Sequence, residues 1–191
     1  KEGIATAIGH APIAALIDPV AGSRNAIAEA LSNIVFAPLK EGIKNVSLSA
    51  NWMWPCKNEG EDARLYEAVK AVSDFAIGLG INVPTGKDSL SMKQKYKNGE
   101  EVIAPGTVII SAAANCVDIN KVIEPVFQKN EGAIYYINLS HDNFKLGGSS
   151  FAQINNKIGN DVPTIKNTEA FKNPFNTIQQ LKNDEEIVAG H

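Results

Sequence analysis

One stretch limits the fold more than any other. From Glu61 to Leu79 the apolar residues Leu65, Val69, Val72 and Ala76 recur at helical spacing, with Phe75 and Leu79 beside them. Amphipathic spacing of this kind predicts a helix with one buried stripe. Gly80 follows where a helix end favours glycine. Extended patterns bracket the helix: residues 46–49 alternate before it, and residues 81–84 resume after it. A chain that mixes strands and helices in this order is α/β or α+β.

The remaining segments fit the same class. Residues 13–17 form a short apolar run that reads as a buried strand. Ala21, Gly22 and Ser23 read as a turn with Ser23 as an N-cap. Residues 24–36 follow as a helix, with Ile27, Leu31, Ile34 and Val35 on one stripe and Pro38 ending it. Residues 50–55 read as an aromatic loop, and residues 85–89 as a polar loop. Residues 107–117 are small and apolar and predict a core strand. The chain turns polar around residues 120–131, which places a domain boundary there: 1–122, a linker at 123–131, and 132–191. Beyond it, residues 133–139 predict a strand, 147–150 open a helix running to about 157, and 168–182 form a last helix bent near Pro174.

Charge and cysteine usage exclude several classes. A formal net charge of -3 gives no general attraction to nucleic acid. No apolar run approaches the ~20 residues of a membrane helix. Cys56 and Cys116 lie far apart without metal-ligand spacing, so reduced thiols in the cytoplasm are expected. The chain opens at Lys1 and closes at His191 just after the apolar Ile187, Val188 and Ala189, so both ends read as cuts in a longer polypeptide.

Few residue groups offer chemistry. Glu29 and Asn33 stand four apart on the first long helix, so both project from one face. A carboxylate beside a carboxamide oxygen suits Mg²⁺, a hard ion that takes oxygen ligands and keeps water or phosphate elsewhere. A solvated helix face gives the same spacing. In residues 85–91 glycine permits a close approach, Lys87 can balance phosphate charge and Asp88 can orient a metal or water, with Ser89 beside them. The Walker spacing is missing, and a polar turn would look alike. Gly147, Gly148 and Ser149 precede a helix, whose start can bind an anion, or can simply form a capped glycine turn. Trp52 and Trp54 suit either ring stacking or buried packing. His141 and Asp142 suit either an acid–base pair or a turn.

Taken together, the segments EALSNI (29–34), LSANWMWP (48–55), GEDARLYEAVKAV (60–72), GKDSLSM (86–92) and LGGSSFAQ (146–153) resemble phosphoribosylformylglycinamidine synthase of the long, single-chain type. The resemblance runs along nearly the whole chain. It implies part of a ferredoxin-like domain of the aminoimidazole ribonucleotide synthetase N-terminal type, from the second of two tandem copies, followed by part of the C-terminal-type domain. It also implies a cytoplasmic carbon–nitrogen ligase of purine biosynthesis, acting on formylglycinamide ribonucleotide with ATP and glutamine-derived ammonia. Nucleic acid and membrane are not expected as partners. Glu29 and Asn33 correspond to magnesium ligands at a nucleotide site, catalytic or an auxiliary one holding ADP. Lys87, Asp88, Ser89, Gly147, Gly148 and Ser149 correspond to phosphate-side residues. The other acidic ligands are expected before Lys1 and directly after His191. A piece so cut is expected to be inactive alone and to self-associate through open sheet edges. A thiamine-phosphate kinase or selenophosphate synthetase fits less well, since their glycine–aspartate signatures are absent.

Overall fold

The computed structural model describes residues 1–129, 132–142 and 144–191. Asn130 and Glu131, at the end of the expected linker, and Asn143 lie outside the described residues.

The strand Thr107–Cys116 organises the sheet, and it is numbered β6 in chain order. Its residues alternate strictly from Ile110 onward: Ile110, Ala112, Ala114 and Cys116 are buried, while Ser111, Ala113 and Asn115 face out. That is the period of a half-buried strand. Strand β1 (Gly3–His10) pairs antiparallel with β6 on one side, and β2 (Ser47–Met53) on the other. Strand β3 (Asn82–Ser89) then pairs parallel with β2, giving the order β1-β6-β2-β3. A separate hairpin joins β4 (Lys93–Lys95) to β5 (Glu101–Ile103).

One face of this sheet carries the helices. Helix α2 (Pro19–Ile34) buries Ala26, Ile27, Ala30, Leu31 and Ile34 against it. Helix α3 (Glu61–Leu79) buries Ala68, Ala71, Val72, Phe75, Ala76 and Leu79. Each buried large aliphatic side chain contributes about 1.5–3 kcal/mol. Of the expected α3 stripe, Leu65 is only partly covered and Val69 is 42% exposed. The buried face is rotated towards alanines, because a helix lying close to its neighbours favours small residues at the contact. Helix α5 (Thr168–Asn183) closes the far end, with Phe171 edge-on to Phe75 at 5.8 Å. Ile165, Phe171 and Phe175 belong to the same apolar cluster as Ile27 and Leu31. Pro174 lies inside α5.

Several expected elements differ. Residues 13–17 are helical: α1 spans Pro12–Ile17, with proline at its start, where no backbone donor is needed. A five-residue apolar run alone does not separate strand from helix. Helix α2 begins at Pro19, not at Arg24. Asp18, rather than Ser23, is its N-cap, accepting from the amides of Val20 (2.9 Å) and Ala21 (3.0 Å). Ala21, Gly22 and Ser23 are therefore buried helix, not a turn. Residues 50–53 continue β2, and Trp54 just beyond is fully buried. Residues 85–89 are strand, not loop. Residues 133–139 make no strand; Ile134, Tyr135 and Tyr136 are 82%, 85% and 77% exposed. Their β propensity has no neighbouring strand to pair with among the described residues. The helix after Ser149, α4, is short, Ser150–Ile154, ending well before 157.

Candidate functional site

The site begins with a close approach. Gly9 of β1 faces α2 so tightly that a Cβ there would lie 2.0 Å from the Ala26 carbonyl oxygen and 2.4 Å from the Ala30 nitrogen. Only glycine fits, and the contact lays α2 along the end of β1. One face of α2 then presents Asn25, Glu29 and Asn33 at successive turns.

Glu29 and Asn33 both grip the open edge of β1. The Glu29 carboxylate accepts from the His10 amide at 2.6 Å. The Asn33 amide donates to the Ile8 carbonyl at 3.1 Å. An acceptor and a donor one turn apart thus stand in for the strand that β1 lacks on this side, satisfying groups an edge leaves unpaired. Both expected ligands are thus tied to the same edge strand, but only Glu29 lines the adjoining cavity. The same bonds orient them. Asn33 must turn its nitrogen to a carbonyl, which can only accept, so its oxygen is directed away. One Glu29 oxygen and the Asn33 oxygen remain for a ligand. Two such oxygens fit Mg²⁺, which needs few protein ligands and fills its octahedron with water and phosphate. Among the described residues no group of three or more His, Cys, Asp or Glu side chains could hold a metal.

Glu29 lines a cavity of about 440 Å³ with His10, Pro12, Asn25, Gly148 and Gln153. Gly148 is fixed there by a positive φ of 76° and by lying against α1, where a Cβ would sit 2.9 Å from the Ala14 nitrogen. Gly147 turns its amide to the Asp161 carbonyl at 3.0 Å. Ser149 caps α4, accepting from the Ala152 amide at 3.1 Å and donating to the Leu146 carbonyl at 2.6 Å. Asn25 gives its amide to the Pro163 carbonyl at 2.8 Å, and Gln153 gives its amide to the Gly148 carbonyl at 3.3 Å. The cavity wall thus offers acceptors on Glu29, Asn25 and Gln153 beside the first-turn amides of α1 at Ile13 and Ala14, a lining that suits a metal-bound anion.

No local pattern singles out His10, Asn25 or Gln153. Asn25 was within reach, since it precedes Glu29 by four residues on the same helix. His10 and Gln153 arrive through tertiary packing.

Lys87, Asp88 and Ser89 lie elsewhere. They belong to β3, at the opposite edge of the sheet from β1. Three strand spacings, roughly 14 Å, separate these edges. Lys87 and Asp88 line a separate groove of about 540 Å³ with Ala50, Trp52, Pro84 and Thr85. The Lys87 ammonium donates to the Asp88 carbonyl at 3.1 Å. The Ser89 carbonyl accepts from the Trp54 amide at 2.9 Å, which ties β3 to the aromatic segment. The expected phosphate-side residues thus form two sets that do not share a pocket among the described residues.

Residues 1–115 match the family model described as the FGAR-AT PurM_N-like domain. The chain belongs to this family. It is 41% identical, over 99% of its length, to a probable phosphoribosylformylglycinamidine synthase, chloroplastic/mitochondrial, of Arabidopsis thaliana, of which it covers 13%. It is 39% identical, again over 99% of its length, to the human phosphoribosylformylglycinamidine synthase, of which it covers 14%. The chain thus spans only a small part of these relatives. Among solved structures, its fold matches PurLQS of Thermotoga maritima with a TM-score of 0.63 at 11% identity, covering 100% of this chain and 27% of that one. T. maritima PurL complexed with ADP matches with a TM-score of 0.61 at 11% identity, covering 98% and 26%. No described helix is long and apolar enough to cross a membrane.

Proposed function

We propose that this chain forms one wall of a magnesium–nucleotide site in a longer phosphoribosylformylglycinamidine synthase. The observation that carries the proposal is the grip of Glu29 and Asn33 on β1, which leaves one oxygen of each without a protein partner among the described residues. The names of relatives at about 40% identity support the parent activity. T. maritima PurL complexed with ATP and with FGAR, although similar to this chain in fold alone, is in keeping with it. The parent enzyme, on this reading, uses ATP to activate the amide oxygen of formylglycinamide ribonucleotide. Glutamine-derived ammonia then displaces phosphate to give the amidine. Bound magnesium would offset charge on the phosphates. The part of this chain is to hold Glu29 and Asn33 rigidly against β1. Gly147, Gly148 and Ser149 would lie on the phosphate side of that site. Lys87, Asp88 and Ser89, across the sheet, would face a phosphate bound with the help of another part of the parent.

On the same reading, residues 1–122 belong to an N-terminal-type synthetase domain and residues 132–191 begin a C-terminal-type one, with 123–131 as linker. The isolated chain would be inactive, and the open edge of β3 would favour its self-association. A second reading keeps the site and removes turnover: ADP held permanently, stabilising the fold by mass action. The two side chains that serve both ligand duty and strand capping favour it, since such a site is built into the fold. Glu29→Ala in the full-length protein separates the two. Loss of co-purifying ADP and of melting temperature with turnover intact supports the structural role. Loss of turnover along with nucleotide supports a catalytic one. Unchanged bound nucleotide would remove the site altogether.

A further inference from the structure

We propose that Lys182 and Cys116 form an oxidative cross-linking site, in which a direct S–N bond staples α5 to the end of β6. The Lys182 side chain is unusual in its burial. It is 6% exposed, and its ammonium nitrogen has no hydrogen-bond partner among the described residues. Cys116 is a free thiol, 3% exposed, at the last position of β6. The register of the fold brings them to one place. Gln179, one turn before Lys182 on α5, accepts from the Leu39 amide at 3.1 Å. Leu39 in turn pairs with Cys116 in an isolated bridge. Helical spacing then carries Lys182 to the region of that bridge. Burial lowers the pKa of the amine to about 8, with Cys116 acting in the opposite direction. An unpartnered buried amine is thus kept partly neutral, the form in which nitrogen is a nucleophile.

The chemistry balances with a peroxide as oxidant. The thiol takes one oxygen from the peroxide, giving a sulfenic acid and water. The neutral Lys182 amine then attacks sulfur; the S–N bond forms as the S–O bond breaks, and hydroxide leaves with the amine proton as a second water. Thiol, amine and peroxide give a sulfenamide and two waters. An added thiol reverses it by attacking sulfur, releasing the amine and leaving a mixed disulfide.

Peptide mapping after mild peroxide treatment of the purified protein tests the proposal. The expected product is a tryptic species joining the Cys116 and Lys182 peptides, lighter than their sum by two hydrogens, about 2 Da. Trypsin no longer cleaves after Lys182, and dithiothreitol restores cleavage. The species is absent from Lys182→Met and from Cys116→Ser, each checked for a cooperative melt. The wild-type map decides the matter even if one variant fails to fold. A Cys116 thiol that stays unmodified, or that gains oxygens while Lys182 remains cleavable, overturns the proposal.

Discussion

Replacing Lys182 with methionine should stabilise the protein at neutral pH. The ammonium is buried without a partner among the described residues, and burial lowers its pKa from 10.5 to about 8. An unfolded lysine titrates near 10.4. Between about pH 8 and 10.5 the unfolded chain therefore binds more protons than the folded one, so stability rises with pH across that window. Below pH 8 both states are protonated, and the full penalty stands. The gap from 10.5 to about 8 corresponds to about 3 kcal/mol. Methionine matches the lysine stem in length and carries no charge to desolvate. Lys182→Met should thus gain about 1–3 kcal/mol at pH 7. Relative to wild type that gain should shrink steadily as the pH is raised from 8 to 10.5. Urea unfolding of both proteins at pH 7, 9 and 10.5 measures this. A variant that is less stable than wild type at pH 7, or whose difference does not change with pH, refutes the reasoning.

Other outcomes follow from the packing. Gln179 is buried and joins α5 to the segment after α2, accepting from the Leu39 amide and donating to the Val35 and Ala37 carbonyls. Gln179→Leu strands those groups and should cost about 2–4 kcal/mol in urea unfolding. Gly9→Ala drives a methyl into the Ala26 carbonyl of α2. It should lower the melting temperature by more than about 8 °C and weaken nucleotide retention, because α2 must lift away from β1. Leu31→Ala, at a fully buried position, should cost about 2–5 kcal/mol in the same unfolding assay.

The strength of the local pattern decided which elements could be read from the sequence. The bounds of helix α3 were legible to the residue, because its apolar spacing runs for five turns and Gly80 ends it with a positive φ of 75°, whereas its buried face was not, since alanines replace Leu65 and Val69 at the contact. Strand β6 was legible because its apolar run is long and central. Strand β1 was not, since Ala5, Ala7 and Gly9 face the helices and offer little contrast with Ile4 and Ile8, which are 74% and 60% exposed. Strand β3 was legible only at its start, residues 82–84; the rest was hidden because it is an edge strand exposed along nearly its whole length, so burial imposes no alternation, and Pro84 is tolerated there. At the site, helical spacing placed Glu29 and Asn33 on one face, as found. Spacing carries no information about their hold on β1, which depends on Gly9 meeting α2. Nor could it show that Lys87 and Asp88 lie at the far edge of the sheet.

The most direct test of the Glu29–Asn33 site is a cycle of ADP binding to nucleotide-stripped full-length protein. Wild type, Glu29→Gln, Asn33→Leu and the double variant are each titrated with and without Mg²⁺. If the two oxygens hold the metal beneath the phosphates, removing Mg²⁺ weakens wild-type binding by roughly 100-fold, as does either substitution. Combining substitution with Mg²⁺ removal then adds little further. Variants that bind ADP as tightly as wild type, and with the same dependence on Mg²⁺, would contradict the account.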